Sequence, residues 1–174
     1  MSQHRFLVAV TIVSMLLLVP AIQGYEGGVY NQASGCGCHS QSGTNPASVT
    51  ISGLPTSYDA NKLYQVTVSV SGGVPGSSGG FSLEVDKGTL STGIGIMAVK
   101  VNSQGNSATH TITGSSYRSW GFEWTSPSAG GGTVNFEVAG MTTNGNGNNN
   151  GDRWVTNLVQ VPENIPPNNP PSAS

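Results

Sequence analysis

The chain has 174 residues, of which 36% are hydrophobic and only 8% charged, with 25 glycines and a formal net charge of −2. That length fits one domain with trimmings, and the glycine content argues against a helical bundle. The lack of any Lys/Arg cluster argues against nucleic acid and anionic membrane as partners.

Residues 1–24 read as a secretory signal. His4 and Arg5 form a short basic start, Phe6 to Leu18 is an uncharged apolar run, and Ala21 and Gly24 end small-residue exits for a signal peptidase. The run is about 13 residues, short of the ~20 that span a bilayer. The mature protein is therefore expected outside the cell, secreted or at the surface. Membrane contact is expected only through a tether or through a signal retained as an anchor.

Residues 25–46 are rich in Gly, Ser, Asn and Gln without a period, and read as a flexible arm. Residues 47–161 then carry strand signals bounded by Gly, Pro, Asn or Ser. Ser48 to Gly53 is the first. In Lys62 to Ser71, Val66, Val68 and Val70 alternate with Thr67 and Ser69, so the valines face a core. Phe81, Leu83 and Val85 repeat the pattern, and Ile94 to Val101 is a weaker run. Ala108, His110 and Ile112 alternate with threonines. Trp120, Phe122 and Trp124 form an aromatic ladder, read as core. Val134, Phe136 and Val138 follow, and Trp154 to Val161 closes the set. The expected fold is all-β: an immunoglobulin-like antiparallel sandwich of seven to eight strands with almost no helix. Asn144 to Asp152 (NGNGNNNGD) reads as a loop, with too few carboxylates for tight Ca²⁺ binding. Residues 162–174, rich in Pro and Asn, read as a disordered tail.

The only two cysteines sit together in Cys36-Gly37-Cys38-His39, so no disulfide framework can staple the sandwich. Four readings of this cluster stay open. One is attachment of a c-type haem, whose usual signature is C-x-x-C-H with the histidine on iron; here one spacer residue is missing. Another is a local Cys36–Cys38 disulfide, strained and readily reduced. A zinc or copper site would need further ligands from elsewhere. The thiols are incidental in the last.

After signal removal the remaining histidines are His39 and His110. His110 is a core histidine or, if haem is held by the arm, the imidazole available as sixth ligand, with Met97 and Met141 as alternatives. No hydrolytic constellation is visible. A Ser-His-Asp site would need His39 or His110 with Asp59, Asp86 or Asp152, and no spacing favours it. Gly76-Ser77-Ser78-Gly79 does not make a nucleophile elbow. An enzyme is not expected.

The order of the GCGCH arm, VTISGLP, YQVTVSVSGG, GGFSLEV, ATHT, SWGFEWTSP, GTVNFEVAG and NGNGNNNGD resembles the Reelin-like (Reeler) β-sandwich family of secreted and surface proteins in bacteria and archaea. The resemblance covers roughly Gly35 to Val161. It implies a β-sandwich preceded by a cytochrome-like motif, which maps onto Cys36, Cys38 and His39 with one residue deleted. It also places His110, in the ATHT stretch, as a distal ligand. The function expected is a secreted or surface-attached sandwich presenting a redox site, a single c-type haem (heme c) for electron transfer, bound by Cys36, Cys38, His39 and His110 with both histidines on the metal. The partner is then a redox partner of unknown identity. The alternative is a non-enzymatic adhesion or interaction module, with a Cys36–Cys38 disulfide and a surface ligand.

Overall fold

The structure, a computed structural model, describes residues 25–37, 39 and 45–166. The expected signal (1–24), Cys38 and the part of the expected tail beyond residue 166 lie outside the described residues.

The period-2 runs form strands where alternation is sustained. These are β1 (Ala47–Ser52), β2 (Leu63–Gly72), β3 (Gly79–Val85), β4 (Thr89–Ser91), β5 (Val99–Val101), β6 (Ser107–His110), β7 (Ser119–Thr125), β8 (Val134–Thr142) and β9 (Arg153–Val161). They make two sheets, of order β1-β2-β7-β4 and β5-β6-β3-β8-β9, with every strand pairing antiparallel. The expected antiparallel sandwich is what the chain forms.

Three local differences have physical causes. The short strand β4, too brief to show a period, pairs with β7 by placing Leu90 opposite Trp124, and brings the number of described strands to nine. Within Ile94 to Val101 only the last three residues are strand. Gly93 and Gly95 take φ of 70° and 80°, which breaks the extended backbone ahead of them. The Ala108 to Thr113 run ends as strand at His110, and a single 3₁₀ turn, Thr113–Ser116, follows where no helix was expected. Thr111 Oγ1 accepts the Gly114 N–H at the start of that turn, and Ile112, expected on the apolar side, is 68% exposed.

The core lies between the sheets. Val66, Val68 and Val70 from β2 and Trp120, Phe122 and Trp124 from β7 are buried against Phe81, Leu83 and Val85 of β3 and Phe136 and Val138 of β8. Aromatic rings cross the gap. Trp124 meets Phe136 edge-on, with centroids 4.9 Å apart at 80°, and Phe81 lies 4.9 Å from Trp120 and stacks at 6.0 Å on Phe122. Such pairs add to the energy of area burial alone. Both indole N–H groups are satisfied, Trp120 by the Gly114 carbonyl and Trp124 by the Lys87 carbonyl.

The outer face of the five-stranded sheet is covered in part by the arm. Ser82 of β3 and Ser107 of β6 alternate away from the core, yet both are buried. Their hydroxyls accept backbone N–H groups of the arm, Gln32 on Ser82 and Asn31 on Ser107, each at 3.1 Å. Glu84 accepts the N–H of Ala33 at 3.0 Å. Lys100 donates to the Gly28 carbonyl and sits 5.0 Å from the centre of the Tyr30 ring. Polar side chains thus act as docking points for a segment whose described residues form no strand.

At residues 162–164 the chain is clasped by Tyr58, which donates its backbone N–H to Pro162 and accepts that of Asn164. Glu163 accepts the N–H groups of Gly130 and Gly132, and these bonds hold its carboxyl below its ordinary value of 4.5.

Two outcomes follow. Trp124→Ala or Phe136→Ala should cost about 3–5 kcal/mol in denaturant unfolding, the range for deleting a large buried ring; a loss below about 1 kcal/mol at both would place the aromatic ladder outside the core. Because the Glu163 pKa is lower folded than unfolded, its contribution is present above its ordinary pKa and lost as pH falls through the folded value. The stability gap between wild type and Glu163→Gln should therefore narrow as pH drops from about 6 to about 3; a gap that widens on acidification would contradict this assignment.

Candidate functional site

The two described ends of the CGCH segment are bonded to each other. The His39 N–H donates to the Cys36 carbonyl at 2.9 Å, so the ends of the motif are drawn together. The turn is seated by Gly35, at φ 147°, whose Cα lies on the Trp154 ring; a Cβ there would come within 2.8 Å of the indole. Only glycine combines that backbone with that approach.

His39 leaves the turn toward the loop before β9. Its Nδ1 is 2.7 Å from Oδ2 of Asp152, a carboxylate only 1% exposed. Oδ1 of Asp152 accepts the N–H of Asn144 at 3.1 Å, from the opposite end of the Asn/Gly loop. Within that loop, side-chain oxygens of Asn144, Asn146 and Asn148 accept the N–H groups of Asn146, Asn148 and Asn150 in succession. The asparagine oxygens serve the loop's own backbone.

His110 is 7% exposed at the end of β6, with its ring centroid 6.3 Å from that of Phe81 and 6.2 Å from that of Trp120. Its Nδ1 lies 3.2 Å from the Phe81 nitrogen and 3.3 Å from the Phe81 oxygen, so the tautomer decides whether it accepts from one or donates to the other. Burial pulls its pKa down, the Phe81 backbone bond opposes this, and the Lys100 charge adds to the lowering. The ring is held neutral, the form in which an imidazole nitrogen can ligate a metal. Its seat is made by Gly80, where a Cβ would stand 2.6 Å from Cε1 of the ring.

These residues border two adjoining clefts of about 390 and 320 Å³, within the size range of small-molecule and cofactor sites. His39, His110, Met141 and Tyr25 line both. The larger also takes in Asp152 and the loop residues Asn146 and Asn148, and the smaller takes in Cys36, Val29 and Phe81. Four residues singled out from the sequence, Cys36, His39, His110 and Met141, therefore share one place although they come from the arm, β6 and β8. Met97 does not join them; it is 77% exposed. Among the described residues, no three His, Cys, Asp or Glu side chains gather closely enough to hold one metal ion. The hydrogen bonds of both imidazoles to described residues run through Nδ1.

Sequence reasoning missed Asp152 as the partner of His39. The two are 113 positions apart, and the only hint is that Asp152 is the single charge in a neutral Asn/Gly loop. It also missed Gly80, whose role is visible only with the His110 ring in place.

No family model matches the chain, and no curated protein matches it. Among solved structures, the chain is similar to the human F-spondin reeler domain (fragment 2), with 19% identity over 68% of this chain and 92% of that one at a TM-score of 0.48. It is similar to the Reelin-N domain of F-spondin, with 18% identity over 82% of this chain and all (100%) of that one at 0.47. It is also similar to the full-length major pilin SpaD from Corynebacterium diphtheriae, with 17% identity over 67% of this chain and 35% of that one at 0.40. Among the described residues no helix is long and apolar enough to cross a membrane.

The Gly80 seat can be checked directly. Gly80→Ala should push the His110 ring aside and destabilise the domain by about 1–3 kcal/mol, as overpacking does. Thermal unfolding together with the ring's NMR shifts reads both effects; unmoved shifts would mean that the ring is not seated on Gly80.

Proposed function

We propose that this protein is a secreted or surface-attached β-sandwich that carries one c-type haem between its arm and the end of its five-stranded sheet, and that it transfers electrons. The observation that carries the reading is the disposition of the two imidazoles. Each has Nδ1 occupied by a partner behind it, the Asp152 carboxylate for His39 and the Phe81 backbone for His110, and both rings border the same clefts. Metal-ligating histidines are held in this way, with the second nitrogen bonded to a carboxylate or carbonyl so that the first faces the metal.

The donor set fits haem better than a bare ion. A zinc or copper site needs three or four side chains converging on a point, and no such group is found among the described residues. A macrocycle brings its own equatorial nitrogens and asks the protein only for axial ligands and a pocket wall. When bound, haem supplies a one-electron couple. The chain's own residues do the rest. His39 and His110 would hold its iron, Val29, Phe81 and Met141 would form the apolar wall, and in the tautomer with Nδ1 protonated Asp152 and the Phe81 carbonyl would accept that proton's hydrogen bond. Cys36, at the start of the turn, and Cys38, beside His39 in sequence, are the attachment thiols. The apolar run of residues 1–24 supports export to a compartment where such attachment takes place.

Intact mass of protein purified from its native host tests the reading. Addition of each thiol across a haem vinyl group loses no atoms, so the expected gain is one whole haem. Replacing Cys36 and Cys38 together by serine should abolish that gain. His110→Ala should retain it and convert a six-coordinate low-spin spectrum to high-spin. A loss of two hydrogens with no added group would mean a Cys36–Cys38 disulfide, and electron transfer would give way to an extracellular interaction module.

A further inference from the structure

We propose that Asp152 is the positioning residue of this site: its two oxygens tie the arm, through His39, and the 144–151 loop, through Asn144, into one arrangement beside the cleft. The geometry is specific. Oδ2 takes His39 Nδ1 at 2.7 Å, and Oδ1 takes the Asn144 N–H at 3.1 Å. The residues between these two ends border the clefts, with Gly145, Asn146, Gly147 and Asn148 on the larger and Asn149 on the smaller. The loop is otherwise braced mainly by its own asparagines, with the Asn144 and Asn146 amides both donating to the Asn150 carbonyl at 3.1 Å. These bonds shape the loop, and the Asp152 carboxylate links it to His39 of the arm.

With the His39 proton on Nδ1, a carboxylate can accept from both. Two donors approach from different sides, and a carboxylate presents an acceptor oxygen to each. An asparagine at this position has a single acceptor, and its NH₂ would face one of the donors. Asp152→Asn is nearly isosteric and can no longer accept from both His39 Nδ1 and the Asn144 N–H. Bonds to a charged acceptor are the stronger kind, and losing one corresponds to about tenfold or more in local opening. Toward a metal, a carboxylate behind a ligating imidazole raises its basicity and favours the oxidised ion; this second consequence rests on the haem reading above, whereas the first does not.

The test uses the full mature chain as purified, with amide hydrogen exchange followed residue by residue. In Asp152→Asn, exchange at Asn144 or at His39 should accelerate by about tenfold or more while core amides of β3, β7 and β8 stay as in wild type. Asp152→Glu, which keeps two acceptor oxygens, should restore part of the protection at both positions. Unchanged exchange at both sites in Asp152→Asn overturns the proposal. If Asp152→Asn does not fold, Asp152→Glu decides: retained protection at Asn144 and His39 supports the proposal, and loss at both with an intact core overturns it. In protein whose mass includes a haem, the midpoint potential of Asp152→Asn should lie above that of wild type, and an unchanged potential overturns the role toward the ligand. A protein without haem removes the electron-transfer reading and leaves the exchange result to decide on Asp152 by itself.

Discussion

The rest of the molecule depends on an aromatic seam between the two sheets. With so few charged residues, the chain relies on burial to hold its layers together, and apolar area removed from water is the dominant favourable contribution. Trp120, Phe122 and Trp124 stand on successive inward positions of β7 and meet Phe81 of β3 and Phe136 of β8 across the gap. The seam does more than stabilise. His110 lies at its end, near Phe81 and Trp120, and takes its backbone partner from Phe81. The imidazole is positioned by the packing that closes the sandwich, so the site inherits the rigidity of the core, as precise sites require.

The other half of the site hangs on polar contacts. Among its described residues the arm before β1 has no strand, although Ala33 is buried. It is attached by N–H groups given to Ser82, Ser107 and Glu84, and by the bond from His39 to Asp152. Each is modest in isolation, because protein–water bonds are exchanged for protein–protein ones. Together they place Cys36 and His39 beside a histidine supplied by the sheet. A core-borne histidine and an arm-borne one thus border clefts with one rigid wall and one held by hydrogen bonds, and such regions occupy the low-stability end of a fold.

Much of this was legible in the residues. Alternation along Lys62 to Ser71 put Val66, Val68 and Val70 inside, and the ladder at Trp120, Phe122 and Trp124 is core as its period implied. The scarcity of thiols and imidazoles singled out Cys36, Cys38, His39 and His110, and Cys36, His39 and His110 line the smaller cleft together. Other features were not legible. Ser82, Ser107 and Thr109 alternate outward, and a period-2 pattern assigns such positions to solvent. They are buried because other parts of the chain reach them: arm N–H groups meet Ser82 and Ser107, while Thr109 donates to the Phe81 carbonyl. β4 was missed because three residues carry no period, and Ile112 was misplaced because the chain turns into a 3₁₀ turn just after His110.

The sequence by itself determined the class of fold and the inward face of its long strands, and it narrowed the candidates for chemistry to a small set of residues. These follow from local periodicity and from composition, which are properties of neighbouring residues. Only the tertiary structure decided that His39 meets Asp152, that Gly80 makes room for His110, and that polar outward positions of β3 and β6 receive the arm. Those pairings join residues tens of positions apart. Their partners are chosen by strand order and by the path of the arm across the sheet, and no local pattern encodes either.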